Sequence, residues 1–259
     1  MSGSETIDEY LGRLGSNQPT PGAGAVGAIH AAQAAALIGM VTRFTERSPA
    51  KNNSDGASAS AARDDGGASA GSGHNDGGAS SGTDRSGRPA GSARDDGGAS
   101  AGSGADPDLE AILAEAGELT RAAVHAAVSD EEKFRRVVDC YKLPNTTDDE
   151  RSRRSSAIRE ALVEATLPAR AQLDLASAVV RLGTELVGVC NPNVLSDIAV
   201  AAEAARAAAA TARITVEANL TSIREESIQE SLQDHTRKAD DVVRRAEELS
   251  ASVRRRVLD

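Results

Sequence analysis

Apolar positions along the chain recur at steps of three and four, and no segment alternates apolar with polar residues as a half-buried strand would. Ile7, Tyr10, Leu11 and Leu14 make the first run, opened by a Thr6–Glu9 capping box and stopped at Gly15, so a short helix lying on a core is predicted. After the loop GSNQPTPGAG, Ala25 to about Thr45 is predicted helical, with hardly a large side chain in its first half. Such small residues let neighbouring backbones approach closely, at a crossing or a dimer seam. A further stripe starts with Asp106 as N-cap, Pro107 at the first helical position and Leu109, Ile112, Leu113 and Ala116 inward. Phe134, Val137, Val138 and Tyr141 continue it until Leu143-Pro144, and one long helix or two with a break near Ser129-Asp130 fit equally.

A second capping box, Thr147 with Glu150, opens a helix with Ile158, Leu162 and Ala165 inward, which Pro168 kinks or divides. Leu173, Val179, Val180, Leu186 and Val187 carry the next section to Cys190, where Asn-Pro-Asn breaks the chain. An Ala-rich helix then runs from about Ser196 to Leu220. Ser222 with Glu225 marks a last start, followed by Ile228, Leu232, Ala239, Val242, Ala246, Leu249 and Val253 at coiled-coil-like spacing. The expected fold is all-α, a bundle of long antiparallel helices in a single domain made of residues 1–49 and 106–259.

Between these parts, residues 50–105 differ in kind: ARDDGGASAGSG occurs at 62–73 and again at 93–104. Gly, Ser, Ala and Asp repeats bury too little apolar surface to offset the entropy of ordering, so a disordered, solvated insertion is expected rather than a calcium loop. With no Trp, two Phe and two Tyr, the core is left to Ala, Leu, Val and Ile. The net charge of −10, with Lys51, Lys133, Lys142 and Lys238 as the only lysines, excludes a basic nucleic-acid face. An acidic, lysine-poor surface suits a salt-rich cytoplasm, and high-GC codon bias also replaces Lys with Arg. Cys140 and Cys190 are read as reduced cytoplasmic thiols in a chain without a leader, and His30, His74, His125 and His235 lack ligand spacing, so no metal is expected. The apolar segment 22–44 is read as a buried helix and not a membrane span, because it contains His30, Gln33 and Arg43.

Four strings in order carry a resemblance: Pro19 to Val41 (PTPGAGAVGAIHAAQAAALIGMV); Asp130 and Phe134 ahead of Tyr141-Lys142-Leu143-Pro144; Asn191-Pro192-Asn193 ahead of Ser196-Asp197; and Asn219-Leu220 ahead of Ile223. Together they resemble the formiminotetrahydrofolate cyclodeaminase and methenyltetrahydrofolate cyclohydrolase family over nearly all the chain outside the insertion. The family's third motif glycine is replaced here by Ala23 and its following serine by Ala25, while Thr215, Lys133 and Cys190 stand where Asn, Ala and Gly are usual. A positive φ at Ala23 would cost about 1 kcal/mol.

The resemblance implies a cytoplasmic, all-helical homodimer that uses a tetrahydrofolate as substrate and no other cofactor. Its implied reaction is hydrolysis of 5,10-methenyltetrahydrofolate to 10-formyltetrahydrofolate; the alternatives are an ammonia-releasing cyclodeaminase and a non-catalytic folate-binding dimer. The implied substrate-binding residues are Pro19, Thr20, Pro21, Gly22, Gly24, Asp130, Asn191, Asn193, Ser196 and Asn219, with Asp197 and Lys142 catalytic. The glycine loop at a helix start offers free N–H groups to an anion, or is an ordinary Pro/Gly turn. Asp197 either complements a cationic one-carbon group or serves its helix dipole. The Asn amides read a pterin or orient water, or satisfy local backbone. Lys142 either neutralises a carboxylate or is solvated, and Asp130 is either a ligand group or a helix start.

Overall fold

The computed structural model describes residues 5–47, 107–220, 223 and 225–259; the insertion expected at 50–105 and the start signals at Asp106 and Ser222 lie outside the described residues. Seven α-helices and one 3-10 turn are present among them: α1 (Ile7–Leu14), α2 (Ala23–Glu46), α3 (Leu109–Tyr141), α4 (Asp148–Glu164), α5 (Leu167–Leu186), the 3-10 turn Pro192–Val194, α6 (Leu195–Leu220) and α7 (Glu226–Leu258). The fold is all-α, and no strand occurs among the described residues.

Local chemistry explains most ends. The Thr6–Glu9 and Thr147–Glu150 capping boxes are both formed, and Gly15 caps the end of α1. The start of α3 differs from expectation: Asp108 is its N-cap, accepting the Ala111 N–H at 3.0 Å. No break occurs near Ser129, so α3 is one continuous helix and Asp130 lies inside it rather than at a start. Pro168 divides α4 from α5, sitting in the first turn where a missing N–H costs no helical hydrogen bond. The last helix begins at Glu226 with Glu225 as its N-cap.

α2 is the central helix and packs on α3, α5 and α6. Its inner face carries Ala25, Ala28, Ala31, Ala34, Ala35, Ile38 and Val41, each at most 1% exposed. Alanines contribute little transfer free energy each, but they bring backbones close enough for dense dispersion contact. The helices run up and down. Asn191, just before α6, donates its N–H to Thr45 Oγ1 at the end of α2 (3.1 Å), whereas a Cβ on Gly27 near the start of α2 would strike Thr211 late in α6. α6 is therefore antiparallel to α2. α5 is antiparallel to α6, with Gln172 Nε2 donating to the Ala208 carbonyl at 2.5 Å. α7 closes the bundle against α6 along Leu232, Ala239, Val242, Ala246, Leu249 and Val253.

Two apolar stripes read from sequence are less buried than expected. In α1 only Tyr10 is buried, while Ile7 and Leu11 are exposed, because α1 has too little partner surface to cover a full stripe. Phe134 and Tyr141 are also exposed: the end of α3 outruns the main core and meets only α4, through a small cluster of Val137, Ala161, Leu162 and Ala165. α2 is long and apolar enough to cross a membrane, but most of its apolar window is buried inside the bundle, as in the core helix of a helical bundle.

Candidate functional site

The glycine loop ends where α2 begins, and Gly22, its N-cap, has no side chain to satisfy the first turn. α3 supplies the missing acceptor: the Asp130 carboxylate accepts the Ala25 N–H. The carboxylate lies where a Cβ on Gly24 would be, so close approach is what requires glycine there. Neither Gly22 nor Gly24 takes a positive φ, and Ala23 is simply the first helical residue, so the cost expected of alanine at that position does not arise. The helix-start N–H groups are thus partly engaged by an internal anion rather than lying fully open to a ligand.

Burial pushes the Asp130 carboxyl up to about 6; the Ala25 N–H pulls against this, and the neighbouring Glu131 carboxylate adds to the rise. A carboxyl titrating there can exchange a proton near neutral pH. Around it, Thr20 is buried and accepts a long 3.5 Å bond from Arg135, next to a cis Thr20–Pro21 peptide. Pro21 is buried and Pro19 exposed. Above, Arg13 of α1 donates to both oxygens of Glu131 at 2.9 and 3.0 Å and to Glu5 at 2.6 and 3.1 Å. This holds the buried Glu131 carboxyl below the usual glutamate range. A cleft of about 910 Å³ runs between α1 and α3, lined by Glu9, Arg13, Gln18, Val128, Glu131 and Arg135, among others.

Expected site residues do not all meet here. Thr20, Pro21, Gly22, Gly24 and Asp130 come together, and Asn219 lies near the end of α6 at the same end of the bundle, its Nδ2 donating to the Thr215 carbonyl at 3.1 Å. Asn191, Asn193, Ser196 and Asp197 are at the opposite end: Asn191 Nδ2 donates to the Phe44 carbonyl at 3.3 Å and Asn191 Oδ1 accepts the Asn193 N–H at 3.0 Å. From Ala25 to Thr45 the axis of α2 spans about 30 Å. Asp197 is half-buried in the first turn of α6, and Ser196 is exposed. Lys142 is 70% exposed at the tip of α3, paired with Asp139 at 2.7 Å and about 18 Å along the helix from Asp130.

Sequence reasoning missed Tyr10, Arg13, Glu131 and Arg135. Tyr10 was readable only as a stripe residue. Glu131, in the acidic run Asp130-Glu131-Glu132, gave no sign that it pairs with an arginine 118 positions away.

The candidate site is thus set in an all-helical bundle, with the half-buried Asp130 carboxyl under the glycine-started α2 and a cleft beside it. Comparison with known proteins makes this specific: the pattern of the formiminotransferase-cyclodeaminase family matches residues 6–63 and 98–238, and the chain belongs to that family of folate one-carbon cyclohydrolases and cyclodeaminases. A methenyltetrahydrofolate cyclohydrolase of Methylorubrum extorquens is 27% identical over 219 residues, which are 85% of this chain and 81% of that protein. The crystal structure of formiminotetrahydrofolate cyclodeaminase from Thermotoga maritima matches with a TM-score of 0.65 at 18% identity, over 96% of this chain and 98% of that one, a likeness of fold.

Proposed function

We propose that the protein hydrolyses 5,10-methenyltetrahydrofolate to 10-formyltetrahydrofolate, with Asp130 as the general base. The observation that carries this reading is Asp130 itself: a carboxyl pushed up to about 6, at the glycine-loop end of α2 and one residue from the wall of the large cleft. Water adds to the electrophilic bridging carbon and gives one proton to Asp130; the hydroxyl so formed then loses its proton as the bond from that carbon to N5 breaks and N5 is protonated, so the carbon becomes the formyl group on N10 and one proton is released overall. A base titrating near the working pH is ionised yet still strong enough to take that proton. Arg135, at the lip of the cleft, is the cation offered to a carboxylate of the folate tail. The cyclohydrolase similarity favours hydrolysis over ammonia release.

The working unit in this reading is a cytoplasmic homodimer, consistent with two unpaired, half-buried cysteines. α2 leaves one face incompletely covered, along the half-buried Val26, His30, Leu37 and Met40 and the exposed Gln33 and Phe44, at alternating steps of four and three. A second copy packed antiparallel on this seam covers it, and brings the Asn191–Asp197 end of one protomer to the Asp130 end of the other. Decay of the near-ultraviolet methenyl band, faster than in buffer and lost in Asp130→Asn, tests the reaction. Ammonia release from the 5-formimino substrate would select the cyclodeaminase instead.

A further inference from the structure

The Tyr10 hydroxyl is unexplained by the fold. Tyr10 is the one buried residue of α1, 5% exposed, and the anchor by which that helix docks. Its hydroxyl is buried and finds no hydrogen-bond partner among the described residues. A phenylalanine would fill the same space without leaving a polar group unpaired in the interior, an arrangement that is rare and costly in folded proteins. The hydroxyl lies within electrostatic reach of Asp130, Glu131 and Arg13, beside the carboxyl to which the proton transfer is assigned. Burial, with the Glu131 charge acting the same way, raises the phenol above its ordinary range, so it stays protonated and offers a hydrogen. Asp130, which Arg13 does not engage, interacts with the Ala25 N–H. That hydrogen is therefore available to an acceptor supplied by a ligand.

We propose that Tyr10 is a substrate-contacting residue, its hydroxyl donating a hydrogen bond to an oxygen of the folate one-carbon substrate held next to Asp130. The proposal rests on the hydrolase reading, and it makes α1 part of the site rather than a peripheral cap. The Glu5–Arg13–Glu131 bridge ties α1, and with it Tyr10, to α3.

The test uses Tyr10→Phe in the full chain, with kinetics, thermal melting and fluorine NMR of protein labelled with 3-fluorotyrosine. The chain has two tyrosines, so the spectrum holds two resonances, and the one absent from Tyr10→Phe belongs to Tyr10. The expected results are a kcat/KM for the methenyl substrate lowered about tenfold, the loss of one ordinary hydrogen bond, with a Tm equal to or above that of the unsubstituted protein. The Tyr10 resonance shifts on addition of 5-formyltetrahydrofolate, a non-reacting analogue. If the unsubstituted protein turns over the substrate while Tyr10→Phe matches it in kcat/KM and the Tyr10 resonance stays put, the Tyr10 proposal is overturned and the hydrolase reading stands. A lowered Tm with unchanged kinetics likewise overturns it, by assigning the hydroxyl to the fold. Absence of turnover and of any shift in the unsubstituted protein overturns both.

Discussion

Gly24 and Gly22 are two residues apart in one loop and have opposite demands. A Cβ at Gly24 meets the Asp130 carboxylate, whereas one at Gly22 meets no atom within 4 Å. Gly24→Ala is therefore expected to cost about 1–3 kcal/mol, as overpacking does, and to disturb activity by moving Asp130. Gly22→Ala costs under about 1 kcal/mol, the difference between glycine and alanine at an N-cap. Chemical denaturation of the two variants checks the contrast. The contrast was not legible in the sequence, where both glycines belong to one motif and Asp130 reads as either a ligand group or a helix start. The contact that separates them joins positions more than a hundred residues apart, and no local pattern encodes such a contact. Caps, by contrast, were readable because both partners lie within four residues, as Thr6 with Glu9 and Thr147 with Glu150 show.

At the scale of elements, α1 is held by one aromatic anchor and one ion cluster rather than by a buried stripe. The Glu131 carboxyl is held low chiefly by Arg13, so its contribution is fully present above the ordinary glutamate value of 4.5 and is lost as pH falls through the lower folded value. Acidification should release α1 before the bundle melts, and Arg13→Met should loosen it at neutral pH by removing the two hydrogen bonds that tie α1 to the buried Glu131 carboxylate. Amide exchange across residues 7–14, compared with α2 at each pH, reads this; equal protection of both helices at low pH would contradict it. The periodicity that located α1 was right about the helix and wrong about its environment. A stripe records which side chains are apolar, and the amount of partner surface is a tertiary quantity.

The whole molecule poses a different question, because the residues that the family resemblance groups together are separated by the length of α2. One chain brings Asp130 to the glycine loop and holds Asn191 at Thr45, about 30 Å away. In the proposed homodimer, an antiparallel pair of α2 helices would remove the separation and make each site a property of two chains. Mixing Asp130→Asn subunits with Asp197→Ala subunits should then restore about a quarter of the unsubstituted activity, since half the dimers are mixed and each mixed dimer has one intact site. No regain at any mixing ratio would place each site within a single chain. The bundle itself was legible from caps, breaks and spacing, whereas the separation of these motifs to opposite ends of α2 was not. Sequence order shows which motifs exist, and the direction in which helices run decides which of them meet.

The central claim is that Asp130 takes the proton from water at the one-carbon bridge. Its folded value is raised, so the native protein binds a proton more readily than the unfolded chain, and ionising Asp130 above about pH 6 costs stability. Asp130→Asn keeps an acceptor for the Ala25 N–H and should fold, with a higher Tm than the parent at pH 7.5 and no such gain at pH 3. The most direct measurement is the pH profile of kcat/KM for methenyltetrahydrofolate. An acid limb near pH 6 is expected in the unsubstituted protein, and a loss of at least about a hundredfold in Asp130→Asn, the usual contribution of a general base. A folded Asp130→Asn protein that hydrolyses the substrate at the parent rate, with the same limb, would contradict it.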